Sequence, residues 1–284
     1  MIIPGDQVTT AEVKDWTGVH LLHFQSSACS QKVRILLREK GIEYASHPVN
    51  LALGQHVTPW FLGINPRGVV PVLVHDGEVH VESNDILAYI DSRLPSEAPS
   101  FFPVDEAERA FVQESLALED SLHMDLRTLT MGFIMPRRLA QKSEKTLRRW
   151  EREGAENPKR ALEVKWWRDF ARDGVPPERA RAAVASHRAA FDILEDRLAT
   201  SEWLIGDRLS VLDIAWFITT TRLRTAGYPL GDHPRLLAWH GRLASRASFR
   251  EETLDPLPIR ALLIPAYRAI RRLRGTTLEQ VVRR

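Results

Sequence analysis

Residues 20–94 constrain the fold of this chain more than any other stretch, because they run through an ordered series of short elements joined by tight turns. The apolar segment HLLHF is of strand length and gives way at Ser26, Ser27 and Ala28 to small residues that open a helix. Val33, Leu36 and Leu37 then recur at helical spacing beside Ile35, up to Gly41, a natural stop. Asn65, Pro66 and Gly68 make a turn before an apolar strand at 69–74, which Pro71 interrupts. His75, Asp76, Gly77 and Glu78 form a hairpin about an Asp-Gly turn. Glu82 and Ser83, followed by Asn84 and Asp85, head an amphipathic helix carrying Ile86, Leu87, Tyr89 and Ile90.

Each junction has a chemical use. The first helix places the Ser26 and Ser27 hydroxyls at an N-terminus, where unpaired backbone N–H groups and the positive end of the helix dipole favour an anion such as a thiolate. A free thiol titrates near about 8.5 and such a setting lowers that value, so Ser27 is the candidate activator of a thiol; plain capping of the helix is the other reading. Cys29 is the single cysteine, which excludes an intramolecular disulfide and suits a reducing compartment. It either forms a mixed disulfide with a thiol cofactor or is a small buried residue beside an active serine; Ser27, two positions earlier, favours the second. A proline inside a strand belongs at an edge or a special bend. A cis Val70-Pro71 bond is expected, aiming the Val70 N–H and C=O at a ligand with peptide-like backbone; an ordinary trans edge proline is the alternative. At Glu82 and Ser83, helix-start N–H groups and the Ser83 hydroxyl suit a carboxylate while Glu82 can accept from an ammonium, with plain N-capping again the alternative.

Taken together, these residues resemble the glutathione transferase superfamily, without a gap from residue 19 to 94. SACSQKVR is similar to the catalytic turn of the Zeta-like and tetrachlorohydroquinone-dehalogenase branches. QHVTPWFLGINPRGVVPVL resembles bacterial lignin β-aryl etherases of the transferase fold, and also the ganglioside-induced differentiation-associated proteins. The resemblance implies a fold class of α/β plus all-α: a thioredoxin-like glutathione-binding domain at 19–94, followed by an all-helical C-terminal domain. It implies that Ser27 activates glutathione, that Val70 before cis Pro71 pairs with the cysteinyl backbone, that Glu82 and Ser83 hold the γ-glutamyl end, and that His56 contacts the glycine carboxylate. It also implies a dimer, homomeric or with a related subunit.

The remainder reads as helical independently. Residues 1–18 are an N-terminal extension, and PSEAPSFFP at 95–103 is a linker rich in proline and serine. Within 104–284, residues 106–135 and 177–199 show long helical periodicity without strand-like alternation. Ser210 and Asp213 form an S-x-x-D capping box before IAWFITTTRL, in a segment that resembles the superfamily's C-terminal folding motif. His233-Pro234 starts another helix, and residues 265–274 form a last one. A basic, Trp-containing insertion at about 136–176 separates the first two long helices and is expected as helices flanking a mobile stretch; the ganglioside-induced proteins have a similar one. Arg268, Arg271, Arg272, Arg274, Arg283 and Arg284 make the tail basic, yet 39 Lys and Arg stand against 37 Asp and Glu in the whole chain. Basic clusters can bind nucleic acid or anionic lipid, but solvated helix faces are the favoured reading of these charges, and neither nucleic acid nor membrane is expected as a partner.

At 284 residues and 44% hydrophobic, the chain can bury a sizeable core and divide into two domains. No apolar run approaches the roughly 18 residues that span a bilayer, and the start MIIPGDQVTTAEVKDW has no signal-peptide pattern, so a cytoplasmic enzyme is expected. No Walker-type loop or metal-ligand spacing occurs, and no metal is expected. The resemblance implies a glutathione S-transferase whose glutathione thiolate attacks an electrophilic carbon of a hydrophobic aromatic substrate. His123, Met124, Arg127, Met131 and Phe133 are then candidate lining residues of a pocket between the domains; a helix packed inside its own bundle is the alternative. In the etherases the substrate is an α-keto β-aryl ether derived from lignin, and a phenolate leaves. A Zeta-like isomerase, a glutathione-dependent dehalogenase in which Cys29 matters, and a noncatalytic binding or regulatory protein are the other readings.

Overall fold

A computed structural model describes residues 1–153, 155, 157–254 and 259–283, with the backbone alone at 259 and 260. In chain order the first elements are β1 (Ile2–Ile3), β2 (Val19–His23), α1 (Ala28–Glu39), β3 (Ala45–Pro48), α2 (Pro59–Leu62), β4 (Val72–His75), β5 (Glu78–His80) and α3 (Ser83–Arg93). Then follow α4 (Glu106–Ser121), α5 (His123–Phe133), α6 (Arg137–Ala140), α7 (Glu144–Glu153), α8 (Arg160–Asp173) and α9 (Pro177–Arg197). The last are α10 (Val211–Ala226), α11 (Pro234–Ser245), α12 (Ala247–Glu252), α13 (Ile264–Leu273) and α14 (Leu278–Val282). A small mixed sheet with helices therefore precedes a helical half, which is the expected fold class.

The chain clusters into two units, Met1–Pro99 with Lys142–Ala171, and Ser100–Gln141 with Arg172–Arg284. In the first, the strand order is β1-β5-β4-β2-β3, with β2 and β3 parallel and the other pairs antiparallel. Register sets Leu21 opposite Leu73 and Leu22 opposite Val72. The two-residue alternation of a strand then sends Leu22, Val72 and Val74 into one cluster with Phe61 and Ile64, and Leu21 and Leu73 to the other face. The opening residues are built into this unit: β1 pairs with β5, and Val8 and Val13 join the same core.

The insertion, counted with the helical half in the sequence reading, has its contacts over residues 142–171 in the first unit. Its two main helices are amphipathic, burying Leu147 and Trp150 from α7 and Val164, Trp166, Trp167 and Phe170 from α8. Residues 154 and 156, in the stretch expected to be mobile, lie outside the described residues, as does Arg284 of the basic tail.

In the second unit the helix expected over 106–135 is two, α4 and α5, meeting at Leu122. α5 packs on α9 and α10, and α10 also on α4. The Asp213 carboxylate opens α10 by accepting from Ser210 N at 2.8 Å, Ser210 Oγ at 2.6 Å, Leu204 N at 3.1 Å and Trp239 Nε1 at 2.6 Å. Four donors offset part of the cost of burying its charge, and burial still raises its pKa above the ordinary value. Among the described residues no helix is long and apolar enough to cross a membrane.

Candidate functional site

Ser27 is the N-cap of α1. Its φ of −80° and ψ of 122° are extended, and its Oγ accepts from Ser30 N at 3.3 Å. Both readings of this residue are compatible, because capping uses an oxygen lone pair and leaves the hydroxyl hydrogen to donate elsewhere. Cys29 is the second residue of the helix and half-buried, as is Ser27. The turn beneath them is held by Arg34, a buried side chain whose guanidinium donates to Phe24 O at 3.3 Å, Gln25 O at 3.0 Å and His23 Nδ1 at 3.1 Å. His23 reaches on to Ser46 Oγ at 2.8 Å on the neighbouring strand. Arg34 therefore ties the end of β2 to the start of the helix, a role that sequence reading gave to no residue although it ends the SACSQKVR run.

Val70 and Pro71 are joined by a cis peptide bond, as expected, and Val70 is buried. Asn65 shapes the turn that leads there: Nδ2 donates to Val69 O at 2.9 Å and Oδ1 accepts from Arg67 N at 3.1 Å. Gly68 has φ +59°, and a Cβ there would lie 2.9 Å from His56 O and 3.1 Å from Arg160 Nη2, so both conformation and space require glycine. Glu82 sits at φ +67°, a costly conformation for a side-chain-bearing residue, immediately before α3. Glu82, the N-cap, makes no side-chain capping bond, so the first N–H groups of α3 and the Ser83 hydroxyl are grouped as donors. Arg67 forms a close ion pair with the Glu82 carboxylate, a link across fifteen positions with no local signal in the sequence.

His56, in a short 3-10 turn at Gln55–Val57, is only 4% exposed, and its Nδ1 has no partner among the described residues. Its ring meets Trp150 of the insertion edge-on at 4.9 Å. Burial, reinforced by the charges of Arg160, Lys142 and Arg149, lowers its pKa to about 3, so the ring is neutral at physiological pH. The insertion also binds main chain in this region. Arg149 Nη2 donates to Val57 O at 3.3 Å, Asn157 Nδ2 to Arg67 O at 3.1 Å, and Arg160 Nη2 to Arg67 O at 3.0 Å and Gly68 O at 3.1 Å.

The remaining candidates lie on α5 in the second unit. His123, Met124, Arg127 and Met131 are half-buried and fall on one face at helical spacing. Phe133 points with Leu126 and Leu129 into the core of that unit, its ring 4.1 Å beneath the Arg271 guanidinium.

A family model for the glutathione S-transferase N-terminal domain matches residues 26–93, and one for the C-terminal domain matches 177–242. Protein LigF of Sphingobium is 29% identical over 239 residues, covering 81% of this chain and 91% of that protein. The crystal structure of the Sphingobium beta-etherase LigF matches with a TM-score of 0.71 at 27% identity, over 83% of this chain and 98% of that one. A maleylacetoacetate isomerase of Pseudomonas aeruginosa is 40% identical over 93 residues, 32% of this chain and 43% of the isomerase. A zeta-class glutathione S-transferase of Euphorbia esula is 38% identical over 111 residues, 39% of this chain and 48% of that protein.

Proposed function

Because the chain belongs to the glutathione S-transferase superfamily, we propose that it is a glutathione-dependent enzyme that cleaves lignin-derived β-aryl ethers. The observation that carries this reading is the similarity to LigF along nearly the whole of that protein. Glutathione is the cofactor of the family, and the donor set fits it: an uncapped α3 start beside Ser83 suits an α-carboxylate, and a carboxylate at Glu82 suits an ammonium. Bound glutathione supplies a sulfur nucleophile, by which the β-carbon–oxygen bond of an α-keto ether is exchanged for a carbon–sulfur bond with release of a phenolate.

The chain's own residues do the rest. Ser27 donates from Oγ toward the sulfur, and the N–H groups at the start of α1 add positive potential, which together favour the ionised thiol. Val70 pairs through its main chain with the cysteinyl unit beside Pro71. Ser83 and the start of α3 hold the γ-glutamyl carboxylate, and Glu82, held by Arg67, accepts from the ammonium. His56 serves the glycine end as a neutral ring. His123, Met124, Arg127 and Met131, half-buried on one face of α5, are the candidates for contact with the aromatic substrate, while Phe133 belongs to the core of its unit. Pairing with a second copy or a related subunit, in the cytoplasm, belongs to the same reading.

A second reading, a Zeta-like isomerase or a dehalogenase, is favoured by the 40% identity to the maleylacetoacetate isomerase and by Cys29 in the first turn of α1. One experiment separates them. The purified chain is incubated with glutathione and, in turn, a β-aryl ether ketone, maleylacetoacetate and a chlorinated hydroquinone, and products are identified by mass spectrometry. A glutathione thioether with free phenol supports the etherase, turnover of another compound moves the chain to that class, and binding of glutathione without turnover of any would favour a noncatalytic role.

A further inference from the structure

The insertion helices reach the turn that precedes Val70, and Arg160 donates to two of its carbonyls. It is the first residue of α8, its side chain is 3% exposed, and Nη1 pairs with Glu163 Oε2 at 2.7 Å. From that fixed position Nη2 donates to two successive carbonyls, Arg67 O at 3.0 Å and Gly68 O at 3.1 Å, while Asn157 adds a third bond to Arg67 O at 3.1 Å. Charge-assisted hydrogen bonds in a buried setting are stronger than neutral ones. Asn65 braces the same turn from within, so its backbone is held on two sides. Both ends of this turn lead into the site: Gly68 is two residues before Val70, and the Arg67 side chain pairs with Glu82. The absence of a side chain at Gly68 lets Arg160 and the His56 carbonyl approach this closely.

We infer that Arg160, assisted by Asn157, is a positioning residue for the glutathione site, through which the insertion fixes Val70 and Glu82 in place to receive the tripeptide. The inference rests on the reading of Val70 and Glu82 as glutathione contacts. It assigns the insertion a part in cofactor affinity, exerted without touching the cofactor.

The test is calorimetric titration of reduced glutathione into the full-length chain and its variants. Arg160→Met, which keeps an unbranched apolar stem but removes the guanidinium and its donors, is expected to weaken binding about tenfold. Arg160→Lys should recover part of that loss, because an ammonium can still donate to one carbonyl. Arg168→Gln is the control: it cuts the exposed bridge from α8 to Glu144 and Glu151 of α7 and should leave affinity unchanged. If turnover is measured, kcat at saturating glutathione should stay within about twofold while KM rises. Should Arg160→Met fail to fold by circular dichroism, Asn157→Ala replaces it, with an expected loss of about two- to fivefold. Wild-type affinity in a folded Arg160→Met, or in Asn157→Ala where that variant stands in, overturns the positioning role and leaves the glutathione reading intact. An equal loss in Arg168→Gln also overturns it, by showing a general effect of loosening the insertion. No binding by the wild type overturns the glutathione reading itself.

Discussion

Acidification should destabilise this protein well above the range in which carboxylates titrate, and His240 of α11 provides a measurable instance. Its ring is 4% exposed and stacked on Phe217 at a centroid distance of 4.8 Å. Arg224 Nη1 lies 2.7 Å from Nδ1 and Thr221 Oγ1 lies 2.9 Å from Nε2. A guanidinium can only donate, so Nδ1 must accept and the proton must sit on Nε2. Protonating Nδ1 would set two donors face to face beside a fixed positive charge. Burial first and Arg224 second lower the pKa from 6.5 to about 4. Because the folded-state value is depressed, the unfolded chain binds the extra proton first, and stability is lost as pH falls from 6.5 toward 4. At about 1.4 kcal/mol per pH unit, a drop from pH 7 to pH 5 removes about 2 kcal/mol through this one group. Urea unfolding at both pH values measures it. His240→Gln keeps an acceptor and a donor but does not titrate, so its loss over the same interval should be smaller by that amount. If wild type and His240→Gln lose equal stability between pH 7 and pH 5, the reasoning from tautomer and burial is wrong.

Ser27→Ala should lower glutathione-dependent turnover about ten- to a hundredfold, the effect of losing one hydrogen bond to an anion, and the ultraviolet absorbance of bound thiolate should titrate at higher pH than in wild type. Cys29→Ala should leave ether cleavage within about twofold; loss of activity in that variant alone would point to disulfide or dehalogenase chemistry. Asp213→Ala strands four buried donors, including Trp239 Nε1 and Ser210 N, and should cost about 3–5 kcal/mol in urea unfolding.

The features legible in the sequence are those that short-range interactions produce. Ser27 begins α1 and Ser210 and Asp213 open α10 through bonds that span three residues, and the Asp-Gly step makes the hairpin between β4 and β5 from neighbouring residues. Helical periodicity around Leu122 shows an apolar face running on, but not that α4 ends and α5 begins there. On α5 the sequence nominates five residues, and spacing alone cannot choose between faces; burial separates Phe133, in the core, from the half-buried His123, Met124, Arg127 and Met131.

By itself, then, the sequence determined the order of elements, the helix starts that gather donors at Ser27 and Ser83, and the proline bend beside Val70. Tertiary structure alone decided that Ile2–Ile3 completes the sheet edge, that Arg34 is a buried brace, that Arg67 holds Glu82, and that the insertion sets Trp150 edge-on against His56 and clamps the 67–68 carbonyls through Arg160. The physical reason is range. A cap or turn forms between residues the chain already holds together, whereas Arg160 and Gly68 are 92 positions apart. In sequence that arginine looks like any charge on an amphipathic helix, and only packing shows that it is buried with its donors on main-chain carbonyls.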